Sequence, residues 1–196
     1  MTAQFQLQFA QTDLPGLAEQ YRRETGEREQ RLENAAFEAG AAIRNGDFSL
    51  ANLEPVVRWK SEHAVHYLIG NSSERIRRAL EVAASPEASP HEAIGALLAL
   101  HGVDLPVASA ILTAIFPERY TVMDWQVLEA LGYPRQNGSF YEQFLACCQQ
   151  LVANGPQAAQ NDMPGSTPLR MLDRALRQWS ENQDEPVAQV HTPVAA

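Results

Sequence analysis

The chain has almost no cysteine and only one lysine, and it contains no long apolar run. Its two cysteines, Cys147 and Cys148, are adjacent. Neighbouring thiols rarely bridge each other, and two thiols make neither a disulfide framework nor the four-cysteine set of an iron–sulfur cluster. Reduced thiols on a helix are expected, in keeping with a reducing compartment. No stretch approaches the roughly 18–20 apolar residues that cross a bilayer. Met1 to Gln11 lacks the basic start and apolar core of a secretory signal. The expectation is a cytoplasmic protein with no membrane contact. Gly-rich phosphate loops, alternating strand patterns, internal repeats and heptads are also missing, which excludes Rossmann and P-loop architectures. No Gly-x-Ser-x-Gly motif or Cys/His pair supports a serine or cysteine nucleophile.

What is present is a 196-residue chain, 45% hydrophobic, with helical periodicity throughout. That is enough for one sizeable core. An all-α bundle is expected, with a single domain over 1–183 and a flexible tail over 184–196, where EPVAQVHTPVAA carries two prolines and no apolar period. Helices are predicted from near Asp13 with Pro15 in the first turn, and over 26–44 up to Asn45-Gly46. Another runs from a Ser49 cap through Val57, and one from Ser61 to near Gly70-Asn71. Further helices are predicted over 73–84, 91–100 and 105–115, from Asp124 to Gly132-Tyr133-Pro134, and over 139–153 and 166–181.

The net charge of −9 argues against a protein that coats nucleic acid non-specifically. The charge is uneven, however. Residues 58–82 hold Arg58, Lys60, Arg75, Arg77 and Arg78 against Glu62, Glu74 and Glu81. A small local contact with a phosphate backbone through Arg75 and Arg78 is one reading, and a solvated helix face is the other.

The most informative stretch is LLALHGVDLPVASAILTAIFPERYTVMDWQVLEAL, Leu97 to Leu131. An apolar helix enters a tight turn at Gly102-Val103-Asp104. A second apolar helix returns through Ala108, Ile111 and Leu112, and the small residues Ala108, Ser109 and Ala110 permit close approach. A hydrophobic loop then delivers Asp124 to a helix N-terminus. Asp is among the best N-caps, so capping alone accounts for that residue type.

These residues resemble the helix-hairpin-helix DNA glycosylase superfamily, whose hairpin reads approximately L-P-G-V-G-x-K-T-A, with a V-D or L-D step about twenty residues on. Gly102-Val103 matches the hairpin within 91–115, Ala108 its small residue, and Val122-Met123-Asp124 the step within 122–131. The match extends over roughly 50–132. It implies an orthogonal multi-helix bundle and a hairpin turn (Gly102, Val103, Asp104) whose backbone N–H groups bind a DNA phosphate. It also implies base excision from damaged or modified DNA, with Asp124 as the carboxylate that stabilises the positively charged sugar. The nearest likeness is to 8-oxoguanine glycosylase-like small bacterial proteins, which implies an oxidised purine as substrate. Two departures stand out. Asp104 replaces the second hairpin glycine, and Pro106 occupies the position of the nucleophilic lysine.

Lys60 is the sole lysine beside fourteen arginines. An arginine cannot form a Schiff base, whereas a desolvated lysine can. Trp59-Lys60-Ser61 is similar to a step in small bacterial members of the same superfamily. Lys60 is therefore a candidate catalytic amine, or a phosphate contact near Asp124, against the plain reading of a snorkelling surface lysine. Trp59, Tyr120 and Trp125 are candidates to stack on an extruded base, or simply to pack the core. His63 and His66 lie three apart, but no further ligand sits at matching spacing, so neither a metal nor a cofactor is expected.

The expected partner is thus DNA, or a modified nucleoside or nucleotide. The rival function is a non-catalytic helix-hairpin-helix module that binds nucleic acid or protein, and a structural helical adaptor contacting partners through its tail is a third. Fold resemblance alone does not separate them.

Overall fold

Polar caps and prolines divide the chain into helices much as the sequence indicates. In the computed structural model, residues 5–133, 140–155 and 167–184 are described. They form α1 (Leu14–Glu24), α2 (Glu27–Arg44), α3 (Leu50–Lys60), α4 (Glu62–Leu68) and α5 (Ser73–Ala83). Then follow α6 (Pro90–Leu98), α7 (Leu105–Ile115), α8 (Trp125–Ala130), α9 (Tyr141–Asn154) and α10 (Pro168–Asp184). No strand occurs among these residues, so the fold is all-α. No described helix is long and apolar enough to cross a membrane. Pro134 and the tail residues 185–196 lie outside the described residues.

The N-caps satisfy backbone donors that a helix leaves unpaired. Ser61, Ser72, Asp104 and Asp124 each accept from the N–H three residues on, and Ser89 with Glu92 forms a reciprocal capping box. Two expected caps differ. Neither Asp13 nor Ser49 makes a side-chain cap hydrogen bond. A 3-10 turn, Gln11–Asp13, leads into α1 instead. The third helix also runs past Val57. It tolerates Pro55 in its interior and ends with Ser61 N–H on the Val57 carbonyl at 2.7 Å, so Trp59 and Lys60 sit in its last turn.

The apolar helix α7 is buried from Val107 to Ile115, the pattern of a helix enclosed on all sides. α2, α3 and α6 pack around it. At the α2–α7 crossing Gly40 has no alternative, because a Cβ there would lie 2.2 Å from the Ala114 carbonyl oxygen. α10 packs on α1, α8 and α9. One continuous cluster of buried side chains draws on every helix from α2 to α10.

The α6–α7 turn is tied to the α4–α5 corner. Asn71 donates to the His101 carbonyl at 3.0 Å and accepts from the His101 N–H at 2.9 Å. Gly102 adopts φ +84°, and a Cβ on it would meet the Ala64 carbonyl oxygen at 2.7 Å. Positive φ and close backbone approach both call for glycine here.

Candidate functional site

Two features place Asp124. First, the loop before it is anchored to α7. The Met123 N–H donates to Ser109 Oγ at 2.9 Å, and that hydroxyl donates to the Pro106 carbonyl at 3.0 Å. Val122 and Met123 are buried, and Tyr141 holds the Thr121 carbonyl at 3.0 Å from α9. Second, Asp124 Oδ1 accepts the Val127 N–H at 3.0 Å, capping α8. Its other oxygen, Oδ2, accepts from Lys60 Nζ, across 64 positions of sequence.

This pair lies well inside the protein. Asp124 is 2% exposed, and the Lys60 side chain is 14% exposed. Burial disfavours the Lys60 ammonium and lowers its pKa, Asp124 opposes that, and the charges of Arg177 and Arg170 add to the lowering. Burial alone would raise the Asp124 pKa. The Lys60 charge and hydrogen bond, the Val127 N–H and the Arg177 charge outweigh it, so the carboxyl is held below its ordinary range.

Beneath Lys60 lies a charged seam supplied by α2 and α10. Arg170 is buried and grips both oxygens of Glu33, at 3.2 and 2.9 Å, while also pairing with Asp173. Arg174 reaches Glu33 at 2.5 Å. The Arg170 guanidinium stacks over the Trp59 indole 5.2 Å from the ring centroid, and Phe37 packs on the same indole at 5.5 Å. Trp59 is therefore clamped between α2 and α10, and Lys60 follows it into the site. Arg170 and Arg174 together bring the Glu33 carboxyl down to about 2 against the raising effect of burial. Burying charges is tolerable here because each has a partner with good geometry.

Of the residues singled out in the sequence, the structure brings Lys60 and Asp124 into contact. Trp59 is a partly buried ring packed between Phe37 and Arg170. Trp125 is 52% exposed at the start of α8. Tyr120 does not fit the expected stacking role. It is 1% exposed, packed against Phe116 and covered by the Arg119 guanidinium, so neither ring face is open to a base.

The hairpin residues form a tight turn, with Val103 buried. The Asp104 carboxylate is exposed and accepts the Val107 N–H at 3.0 Å. It thus occupies the α7 N-terminus, where the resemblance implies a phosphate. Arg75 donates to the Ala99 carbonyl, bracing the end of α6, and Arg78 pairs with Glu74 at 2.6 Å. Neither touches the Lys60–Asp124 pair. Cys147 and Cys148 are free thiols on α9. Among the described residues no three His, Cys, Asp or Glu side chains gather as metal ligands do.

Sequence reading missed Glu33, Arg170, Arg174 and Arg177. A signal was there: Arg170, Arg174 and Arg177 recur at the i, i+4, i+7 spacing of one helix face, beside Leu169, Leu172 and Leu176. Comparison of the chain with protein-family models, with curated proteins and with solved structures gave no match.

Proposed function

We propose that this protein is a helix-hairpin-helix N-glycosylase that removes a damaged or modified base from nucleic acid, with Asp124 and Lys60 as the catalytic pair. The observation that carries the reading is the contact itself. The sole lysine meets the one aspartate that the hairpin spacing singles out, 64 positions away, in a site shielded from water. An exposed lysine or a simple cap needs no such partner.

The pair suits the chemistry. As the glycosidic bond breaks, its electrons leave with the base and the sugar becomes cationic. Asp124, held ionised, stabilises that cation in a poorly solvated site, where charge acts strongly. The lowered Lys60 pKa eases donation of an ammonium proton to the departing base. The free amine then forms a bond to C1′. Cleavage of the C1′–O4′ bond, with the amine proton passing to O4′, leaves a protonated Schiff base. Water directed by Asp124 gives simple hydrolysis instead. An oxidised purine is the substrate class that the sequence resemblance favours, and exposed Trp125 offers a ring on which such a base can stack.

The test is single-turnover base release from single- and double-stranded oligonucleotides carrying a panel of lesions, oxidised purines included. Release should be abolished by Asp124→Asn, which keeps a capping side chain. Borohydride should trap the wild type on the DNA, but not Lys60→Gln. Release that survives Asp124→Asn would refute the assignment.

A second reading has support of its own. Asp124 Oδ1 is already engaged by the Val127 N–H as a cap, and Oδ2 by Lys60. Those features suit a non-catalytic binding module. Retained DNA binding with no base release from any lesion would favour it.

A further inference from the structure

We propose that Arg177, held by Glu181 in the free protein, is the anion-binding group of the Lys60–Asp124 site and takes a phosphate of the substrate. This rests on the glycosylase reading and adds the residue that anchors the nucleotide.

The argument begins with position. Glu181 Oε1 accepts from Arg177 Nε at 2.9 Å and from Gln126 Nε2 at 3.3 Å. Gln126 is the second residue of α8, directly after Trp125 and two after Asp124. One carboxylate oxygen therefore gathers the Arg177 guanidinium and the first turn of α8 together. That bridge holds Arg177 against the helix end that Asp124 caps, and its charge is felt by both members of the pair.

Access is the second point. Two arginines act on Lys60 through their charge, Arg170 and Arg177. Arg170 is sealed in the seam with its donors on Glu33 and Asp173. Arg177 is 36% exposed, and its partner Glu181 is exposed to a similar degree. Arginines farther away are committed elsewhere: Arg75 to Ala99, Arg119 to the carbonyls of Pro86 and Ala88.

The third point is chemical need. Lys60 is spent on neutralising Asp124, and the chain as a whole carries a net charge of −9, which repels a phosphate. A further cation beside the pair is needed before a nucleotide can settle there. Guanidinium presents a planar fork that matches phosphate oxygens, and it stays charged at every working pH. Glu181 occupies only one arm of that fork, through Nε and a single oxygen. A partly exposed ion pair of this kind is weak, so a phosphate can displace it. Trp125 on the same rim supplies a ring for the base.

The test is fluorescence anisotropy with a duplex carrying a tetrahydrofuran abasic analogue, titrated from roughly 50 to 200 mM salt. A deoxynucleoside monophosphate serves as competitor. Arg177→Gln should weaken binding about tenfold and reduce the slope of log K against log salt by about one. Arg177→Lys should keep the slope. Glu181→Gln should tighten binding several-fold. Arg31→Gln, on the exposed face of α2, should change nothing. Displacement by the monophosphate that requires Arg177 would name a free nucleotide as the phosphate source, and its absence a nucleic-acid strand. Unchanged affinity and slope in Arg177→Gln would overturn the proposal while base release by the wild type kept the glycosylase reading. Failure of the wild type both to bind the duplex or monophosphate and to release any base would overturn both.

Discussion

Helices α7 and α10 are both largely buried, by opposite means. α7 carries only two polar side chains, Ser109 and Thr113. Thr113 bonds back to the Ser109 carbonyl at 2.8 Å, and Ser109 holds the Asp124 loop. Elsewhere α7 fills space. α10 buries Arg170, Asp173, Arg174, Gln178 and Ser180, and most of these reach a partner from a distant part of the chain. Arg170 and Arg174 take Glu33 of α2, Gln178 takes Glu24 of α1 at 3.0 Å, and Ser180 takes Glu129 of α8. Apolar burial asks for volume, whereas polar burial asks for one particular partner at one particular place. α7 thus supplies the bulk of the core, and α10 fixes where α1, α2 and α8 stand around the site.

The contrast can be broken most severely at the charged helix. Arg170→Ala strands Glu33 and Asp173 in the interior, and breaking a buried pair in this way costs about 3–5 kcal/mol. Urea unfolding should show a loss of that size. Ile111→Ala in α7 removes apolar contacts and leaves a cavity, for about 3 kcal/mol by the same measurement. If Arg170→Ala proved milder than Ile111→Ala, α10 would be an ordinary packed helix and the charged seam a by-product.

Acid separates the two helices next. Glu33 titrates in the folded protein at about 2, below its unfolded value. A carboxylate shifted down contributes stability that is complete above about pH 4.5 and is lost as pH falls toward 2. The shift corresponds to about 3 kcal/mol. Asp124, also lowered, acts in the same direction. Urea midpoints of the wild type should therefore fall steeply between pH 5 and roughly pH 2.5, and those of Glu33→Gln should fall less. Lys60 works at the other end. Its folded pKa is lowered, so stability rises with pH from that value up to the unfolded 10.5. Lys60→Met should remove that alkaline gain, and parallel curves for the two proteins would refute it.

How much of this could be read from the chain follows the same division. Helix limits, the Asp124 cap and the hairpin spacing are local, and they appear in residue type and period. Lys60 stood out through chemical rarity, and its place near Asp124 was expected from the resemblance, since no local pattern encodes a contact across 64 positions. For Tyr120 the sequence left stacking and core packing both open, because a loop aromatic beside a candidate carboxylate looks available, and the structure has it in the core. Its ring packs on Phe116 of the same loop, and Tyr141 of α9 holds the carbonyl of the next residue, Thr121, so the loop is drawn into the core. Glu33 and Arg170 are 137 positions apart, and each alone looks like a solvated helix face. The Asn71–His101 staple and the pairing of the Gln6 and Gln8 N–H groups with the Leu131 and Ala130 carbonyls are equally non-local, and no periodicity encodes them.

The smallest expected effect sits at the hairpin, away from both helices' interiors. Asp104 stands where the hairpin pattern that this turn resembles has its second glycine, and its carboxylate caps α7 from an exposed position. Glycine is itself a tolerable N-cap, so Asp104→Gly should cost only a few tenths of a kcal/mol, where Asp104→Ala costs about 1 kcal/mol. The substitution also removes a negative charge from a helix N-terminus, whose free N–H groups favour anions. If the turn faces a DNA phosphate, Asp104→Gly should bind the abasic-analogue duplex several-fold more tightly, and the gain should shrink as salt is raised. Equal affinity for wild type and variant across the salt range would mean that no phosphate approaches the turn. In that case the contact with the strand would rest on the α8–α10 rim alone, where Arg177 stands.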